Sequence, residues 1–252
     1  MPQPPRTPRT LHMAGSAGRP DQGESWHSLA GKTLVVEEKA DGEEITIWFE
    51  SGDPMPRMAA RTTPLTPGIG LIGAWGAFIA PALRARIGED FAVTGMWMER
   101  THAVFYDCLP HLFWECDVRE LSSGHYLDTP SRRELLGDVL IPVPVLHHGP
   151  HGRPEDLRDL AGRSAAISSD WRDAFAQAST EARVPVARAE SWITADQMME
   201  GLYIKHEAAG RVAGRYKFIS PAFLARIHAQ DGHWSSRPRI QNRTRSAEVL
   251  WT

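Results

Sequence analysis

Glu38-Lys39-Ala40-Asp41-Gly42 is the stretch on which the reading of this chain turns. It lies between two β-branched runs, Thr33-Leu34-Val35-Val36 and Ile45-Thr46-Ile47-Trp48-Phe49, both of the composition that strands favour. Asp-Gly between two such runs is a hairpin signal, so 33–36 and 45–49 are expected to pair antiparallel across a tight turn. Lys39 then sits at the end of a buried strand, an expensive place for an ammonium. Burial or nearby cations lower an amine's pKa and free it as a nucleophile. The same string also fits a plain hairpin whose turn is flanked by a lysine.

Outward from this stretch, 51–70 reads as a proline-rich loop. Helical spacing covers 77–87, and Pro81 must sit in its first turn or break it. Residues 91–98 and 111–118 read as strands. Residues 131–140 read as a helix capped by Ser131, with Glu134 three residues on. A proline-interrupted edge segment over 141–146 precedes a solvated loop over 147–155 that carries His147, His148 and His151. Helical character spans 156–177. Strands over 201–205 and 211–218 turn at Ala209-Gly210, and a helix over 221–229 starts from Ser220 and Pro221. Hairpins interleaved with helices predict an α+β fold, antiparallel sheets flanked by helices. Residues 1–28, rich in Pro, Gly, Ser and Arg, read as an extended arm. The folded unit is expected over 29–229, with 230–252 as a basic tail packed on it or extending from it.

Composition narrows the classes. The 252 residues carry 28 Lys+Arg against 31 Asp+Glu, a net charge of -3, so bulk charge gives nucleic-acid binding no support. Hydrophobic content of 42% and charged content of 23% are those of a globular chain. Two cysteines, Cys108 and Cys116, exclude a disulfide scaffold and a Cys-built zinc site. The N-terminus lacks the apolar core of a secretory signal. The longest apolar stretch, 71–83, is shorter than the roughly 20 residues that span a bilayer. A cytoplasmic protein with reduced thiols and no membrane partner is therefore expected. Positive charge is concentrated late: Arg226, Arg237, Arg239, Arg243 and Arg245 face Asp231 and Glu248.

Three further strings carry chemistry. Glu200-Gly201-Leu202-Tyr203-Ile204-Lys205 opens a strand with a carboxylate. Arg215-Tyr216-Lys217 sets two cations two residues apart, on one face of a strand. Such a pair binds phosphates and depresses a neighbouring amine's pKa, although a solvated strand face has the same pattern. Leu112-Phe113-Trp114-Glu115-Cys116-Asp117-Val118 puts aromatics and two carboxylates on one strand, where Phe113 is either a base-stacking ring or plain core.

In this order the strings resemble the RNA ligase family of covalent nucleotidyltransferases, in particular its stand-alone bacterial members. Residues 38–42 look like motif I, 113–118 like motif III, Glu200-Gly201 like motif IV and 215–217 like motif V. Between them, Trp97-Met98, His102, Phe105-Tyr106-Asp107, Leu109-Pro110-His111 and Phe113 are similar to that subgroup's linking segment. Arg9-Thr10, His12 and Gly15-Ser16 resemble its N-terminal signature, and Gly232-His233-Trp234, Arg237-Pro238 and Asn242 its C-terminal one. The resemblance covers nearly the whole chain.

The resemblance implies an ATP-grasp-like ligase adenylation domain. About 35 residues follow motif V, too few for a full OB-fold domain. It further implies that Lys39 attacks the α-phosphorus of ATP, giving lysyl-AMP and pyrophosphate. AMP then passes to a 5′-phosphate, which a 3′-hydroxyl attacks. Arg215 and Lys217 act as catalytic cations at the phosphates, and Glu200 holds Mg²⁺ or Mn²⁺. Phe113 stacks on adenine, Glu38 reads the adenine edge, and Asp41, Gly42 and Gly201 shape the nucleotide pocket. Arg61 is the motif Ia arginine, with Arg57 competing for the role.

Glu44 stands where the family usually has Asn, Met96 where it has Glu, and Arg100-Thr101 where it has Ala-Lys. Sugar and acceptor contacts have changed while the nucleophile and phosphate-handling residues remain. Three functions follow from that pattern. One is an ATP-dependent ligase acting on an RNA end. The second is a ligase that adenylylates a small-molecule or protein acceptor. The third is a catalytically degenerate module that binds nucleotide or RNA ends.

Overall fold

The two β-branched runs form strands that do not pair with each other. A computed structural model describes residues 8–17, 23–61, 63–66, 68–194, 197–228 and 233–251. Parts of the expected arm (1–7 and 18–22), the last residue of the expected C-terminal helix (Ala229), and Asp231 and Gly232 lie outside the described residues. The strands are β1 (Leu11–His12), β2 (Thr33–Lys39), β3 (Glu43–Trp48), β4 (Arg57–Ala60), β5 (Thr63–Leu65), β6 (Phe91–Trp97), β7 (Phe113–Glu120), β8 (Val145–Pro150), β9 (Gly201–Ala208) and β10 (Arg211–Ile219). They build two five-stranded sheets, ordered β1-β10-β9-β2-β8 and β5-β4-β3-β6-β7. The pairings are antiparallel except β1 with β10. The fold is α+β, as the sequence predicts.

β2 belongs to the first sheet and β3 to the second, so Ala40-Asp41-Gly42 is a crossover between sheets and not the turn of a hairpin. The side chains explain the difference. The Asp41 carboxylate accepts hydrogen bonds from the amides of Ala103 (2.7 Å) and Val104 (2.8 Å). Gly42 lets the chain pass the second sheet, since a Cβ there would lie 2.8 Å from the Trp97 carbonyl oxygen. The conformation that a two-residue hairpin turn demands occurs instead at Ala209 (φ +52°) and Gly210 (φ +76°), which join β9 to β10.

Five helices complete the fold: α1 (Gly70–Ile87), α2 (Thr129–Leu136), α3 (Trp171–Glu181), α4 (Val186–Glu190) and α5 (Pro221–His228). α1 begins seven residues before the expected start, and Pro81 lies inside it. Pro81 faces solvent, where water can satisfy the carbonyl that a proline leaves unpaired. α2 is capped by Asp128, whose side chain accepts from the Ser131 amide, and not by Ser131. His147 and His148 belong to β8 and not to a loop.

One core lies against the second sheet, where Trp75, Ile79 and Leu83 of α1 and Phe175 of α3 meet Ile45, Ile47, Val93 and Phe113. A smaller one covers one face of the first sheet, with Leu34, Val36, Leu202 and Ile204 packed on Met13, Trp26 and Leu157. By alternation the other face of that sheet carries Glu37, Lys39, Tyr203 and Lys205.

Part of the expected arm is packed. β1 covers the edge of β10, the Met13 amide donates to the Lys217 carbonyl (2.9 Å), and Met13 and Ser16 are fully buried. An open sheet edge offers unpaired backbone groups, and this short strand satisfies them. The tail is packed too: Ile240 and Arg243 carbonyls accept from the amides of Thr101 and Leu109. Among the described residues no helix is long and apolar enough to cross a membrane.

Candidate active site

Register brings Lys39 and Glu200 together. Lys39 faces Gly201 in the β2–β9 ladder, which sets the preceding residue, Glu200, beside the lysine. Nζ of Lys39 lies 2.5 Å from Oε2 of Glu200, and the two side chains are 24% and 14% exposed. Burial raises the Glu200 pKa, with Lys39 opposing. Gly201 makes this junction possible: a Cβ on it would sit 1.9 Å from the Phe218 carbonyl oxygen of β10.

β10 adds Lys217, which faces Tyr203, the next residue after Gly201 on the same face of β9. Burial lowers the pKa of Lys217. The charges of Lys39, Arg9 and Arg61 act the same way, and Glu200 opposes them. Three other cations and one largely buried carboxylate thus act on Lys217 near the end of β2. Arg61 takes a left-handed conformation (φ +52°), and its amide donates to the Glu44 carbonyl. Arg57 is held elsewhere, by Glu50 at 3.0 Å and Asp53 at 3.1 Å.

Glu38 points away from Lys39 by alternation and is buried. Its Oε2 accepts from Ser164 Oγ (2.9 Å), and burial pushes its pKa up to about 7 against the hydrogen bonds of Ser164 and Tyr106. The Tyr106 hydroxyl in turn accepts from the Asp41 amide (3.1 Å).

Two expected residues lie apart from this group. Arg215 pairs with Asp117 (3.4 Å), covers the Tyr126 ring at 3.9 Å and donates to the Pro8 carbonyl. Phe113 is fully buried, with its ring 4.9 Å from that of Trp75.

Arg215 joins a buried ionic cluster that the sequence does not reveal. Glu37 of β2 sits between Arg132 (2.6 Å) and Lys205 (2.8 Å), Lys205 reaches Asp117 (3.1 Å), and Arg132 reaches Glu115 (3.3 Å). Glu37 and Lys205 belong to the first sheet and Glu115 and Asp117 to the second, so the cluster ties the sheets together below Lys39. Burial raises the Glu115 pKa to about 7, whereas Lys205 and Arg215 overcome burial at Asp117 and hold it at about 2.

The linking segment closes the other side. His102 Nδ1 lies 3.8 Å from Asp41 Oδ1, and its ring stacks on Trp234. Asn242 fixes the segment: its Oδ1 accepts from Thr101 Oγ1 and the Tyr106 amide, and its Nδ2 donates to the Met98 carbonyl. No local signal marks His102, Tyr106 and Asn242 as neighbours, because their contacts span more than 60 residues of chain.

Comparison with known proteins agrees with this architecture. The RNA ligase family profile matches residues 32–219, and the chain belongs to that family. Naegleria gruberi RNA ligase has the same fold. A variant with AMP and Mn superposes with a TM-score of 0.57 at 15% identity, over 90% of this chain and 60% of that one. Another variant, with ATP and Mn, gives 0.55 at 15% identity over the same shares. The ligase with PPi gives 0.53 at 16% identity, again over 90% and 60%. The chain thus spans about 60% of the length of the ligase it matches. No curated protein matches it in sequence.

Proposed function

We propose that this protein is an ATP-dependent RNA ligase-like nucleotidyltransferase that forms lysyl-AMP at Lys39 and passes AMP to an RNA 5′-phosphate for joining to a 3′-hydroxyl. The carrying observation is the Lys39–Glu200 pair at 2.5 Å with Lys217 alongside. In the first step Nζ of Lys39 attacks the α-phosphorus. A P–N bond forms, the bond to the bridging oxygen breaks, and pyrophosphate leaves. The amine must shed a proton, and Glu200 is within reach to hold it, its affinity for a proton raised by burial. Lys217 and Arg61 bring positive charge to the side where phosphate charge develops. Arg215, engaged by Asp117, acts as a support of the β10 strand that carries Lys217. The ligands of the Naegleria ligase structures, ATP, AMP, PPi and Mn, are those this chemistry handles.

Glu200 is also the residue to hold Mg²⁺ or Mn²⁺. Among the described residues no group of three or more His, Cys, Asp or Glu forms a cage. Such an ion takes one or two carboxylates and keeps waters or phosphate oxygens as its other ligands. When bound, the ion neutralises phosphate charge. The unit over 29–229 is the adenylation domain in this reading, with 230–252 bracing its linking segment.

Incubation with α-labelled ATP and Mg²⁺ or Mn²⁺ should label the wild-type protein and leave Lys39→Ala unlabelled. Absence of Lys39-dependent label would overturn the proposal in favour of a binding module. Glu44 and Met96 face each other across β3 and β6 where the family has Asn and Glu. That pairing favours a second reading, in which the acceptor is a small molecule or a protein. Chasing the label with 5′-phosphorylated RNA separates the two, because only the first predicts transfer to RNA.

A further inference from the structure

The resemblance assigns base stacking to Phe113, and the geometry forbids it. Phe113 has no exposed surface. Its ring lies against Trp75 and across Gly95, where a Cβ would meet its Cζ at 2.4 Å. Taking a base would mean unpacking the larger core.

A different aromatic surface adjoins Lys39. The rings of His102 and Trp234 lie 3.6 Å apart and within 15° of parallel. Among the described residues the other aromatic pairs are tilted or edge-on, with centroids at least 4.9 Å apart. Face-to-face contact at this separation is the geometry of a nucleobase on an aromatic platform. Location agrees: His102 touches Asp41 and feels the charges of Lys39 and Glu200. Its imidazole is neutral near pH 7, because burial, with Arg100 adding, takes its pKa down to about 4.

Trp234 has the features of a stand-in. Its indole is a fused bicycle close to a purine in size and shape. It is half-buried in a short turn, Trp234–Ser236, outside the cores of the sheets. Arg100 lies over its ring at 5.2 Å and donates to its backbone carbonyl, so the indole has a guanidinium as a second neighbour besides His102.

We propose that His102 is the stacking platform for the adenine of ATP, and that Trp234 holds that place until the nucleotide displaces it. The inference rests on nucleotide binding beside Lys39. It makes His102 the residue that positions the base, and Trp234 a competitor built into the C-terminal segment.

The test measures binding of α,β-methylene-ATP with Mg²⁺ by calorimetry, since this analogue cannot pass AMP to Lys39 by loss of pyrophosphate through the usual oxygen. Trp234→Ala should bind several-fold tighter than wild type. His102→Ala should bind about tenfold weaker or worse, the loss of one base–aromatic stack. His102→Phe should restore binding to within about threefold, because a benzene ring stacks as an imidazole does. A 2-aminopurine analogue of ATP gives a reading that a merely structural role would not move. Its fluorescence should be quenched on wild type, Trp234→Ala and His102→Phe, and not on His102→Ala. Unchanged or weaker binding by Trp234→Ala overturns the inference, and this variant decides the matter if His102→Ala does not fold. Nucleotide binding by wild type with no change in either variant overturns this inference alone. No binding by wild type overturns it together with the proposed nucleotidyl transfer.

Discussion

Lys39 and Lys205 stand on the same face of one sheet and are held in opposite ways. Lys205 is 1% exposed and meets two carboxylates, Glu37 and Asp117, besides the Cys116 carbonyl. Burial and Arg132 work against its charge, yet Asp117, Glu37 and Glu115 outweigh them and raise its pKa. Lys39, at the strand end, is 24% exposed and has one carboxylate partner, with Lys217 for a neighbour. An ammonium clamped between buried carboxylates is structural, because losing it strands their charges. One held by a single carboxylate among other cations can be released by a change at one partner. Within one sheet, depth below the strand end separates the lysine that braces from the lysine proposed to react.

The largest expected effect is at the reactive end. Lys39→Ala should remove labelling by α-labelled ATP entirely while costing on the order of 1–2 kcal/mol of stability, between an exposed pair and a fully buried one. Denaturant unfolding beside the labelling assay checks both halves. A large loss of stability would mean that Lys39 braces the fold as Lys205 does, and the contrast would collapse.

Next comes the bracing end. Lys205→Met keeps volume and leaves Glu37 and Asp117 facing each other without the ammonium. A cost of roughly 3–5 kcal/mol is expected, read as a drop in thermal midpoint on the order of 10 °C. A midpoint within a degree of wild type would show that the cluster does not hold the sheets together.

Gly201→Ala probes the junction between the two lysines. Its Cβ would collide with the Phe218 carbonyl, so β9 and β10 must part and Glu200 must shift. The expected cost is roughly 1–3 kcal/mol, with labelling reduced more than the loss of folded protein explains. Equal reductions would mean that the position of Glu200 is not critical.

These residues differ in how visible they are in the sequence. Lys39, Glu200, Gly201 and Lys217 are legible because each lies in a short string at a strand end, and β-register alone brings the strings together. The β9–β10 turn is legible for the same local reason. Asp41-Gly42 misleads because a hairpin turn and a close sheet-to-sheet crossover use the same two residues, one for its φ angles and the other for space and a capping carboxylate. The bracing cluster is invisible, since Glu37, Glu115, Arg132 and Lys205 look like ordinary surface charges until the fold buries them. At Phe113 the sequence is silent on orientation, since a strand pattern says that a ring is buried and not whether it faces a core or a ligand; His102 lies between strands and carries no such pattern.

The smallest expected effect lies on the far side of β2. Glu38 titrates at about 7 in the folded chain against an ordinary 4.5, and Glu115 does the same. Between those values the folded protein keeps protons that the unfolded chain has released. The stability these groups contribute is therefore complete below about pH 4.5 and lost as pH rises through 7. His102 runs the other way, since its pKa is about 4 when folded against 6.5 when free, so it adds stability as pH rises from 4 to 6.5. At pH 6.5 a free imidazole is still half protonated, so His102 has roughly 0.4 kcal/mol left to add, less than either carboxylate loses above that pH. From pH 6.5 to 8 each should cost on the order of 1 kcal/mol, or roughly 2–4 °C of thermal midpoint. Glu38→Gln keeps an oxygen to accept from Ser164 and removes one of these titrations, so its midpoint should fall less far than that of wild type over that range. If the profiles of wild type and Glu38→Gln run parallel, Glu38 is already ionised at pH 6.5. The buried face of β2 would then hold a charge as Lys39's face does, and the two sides of the strand would no longer differ.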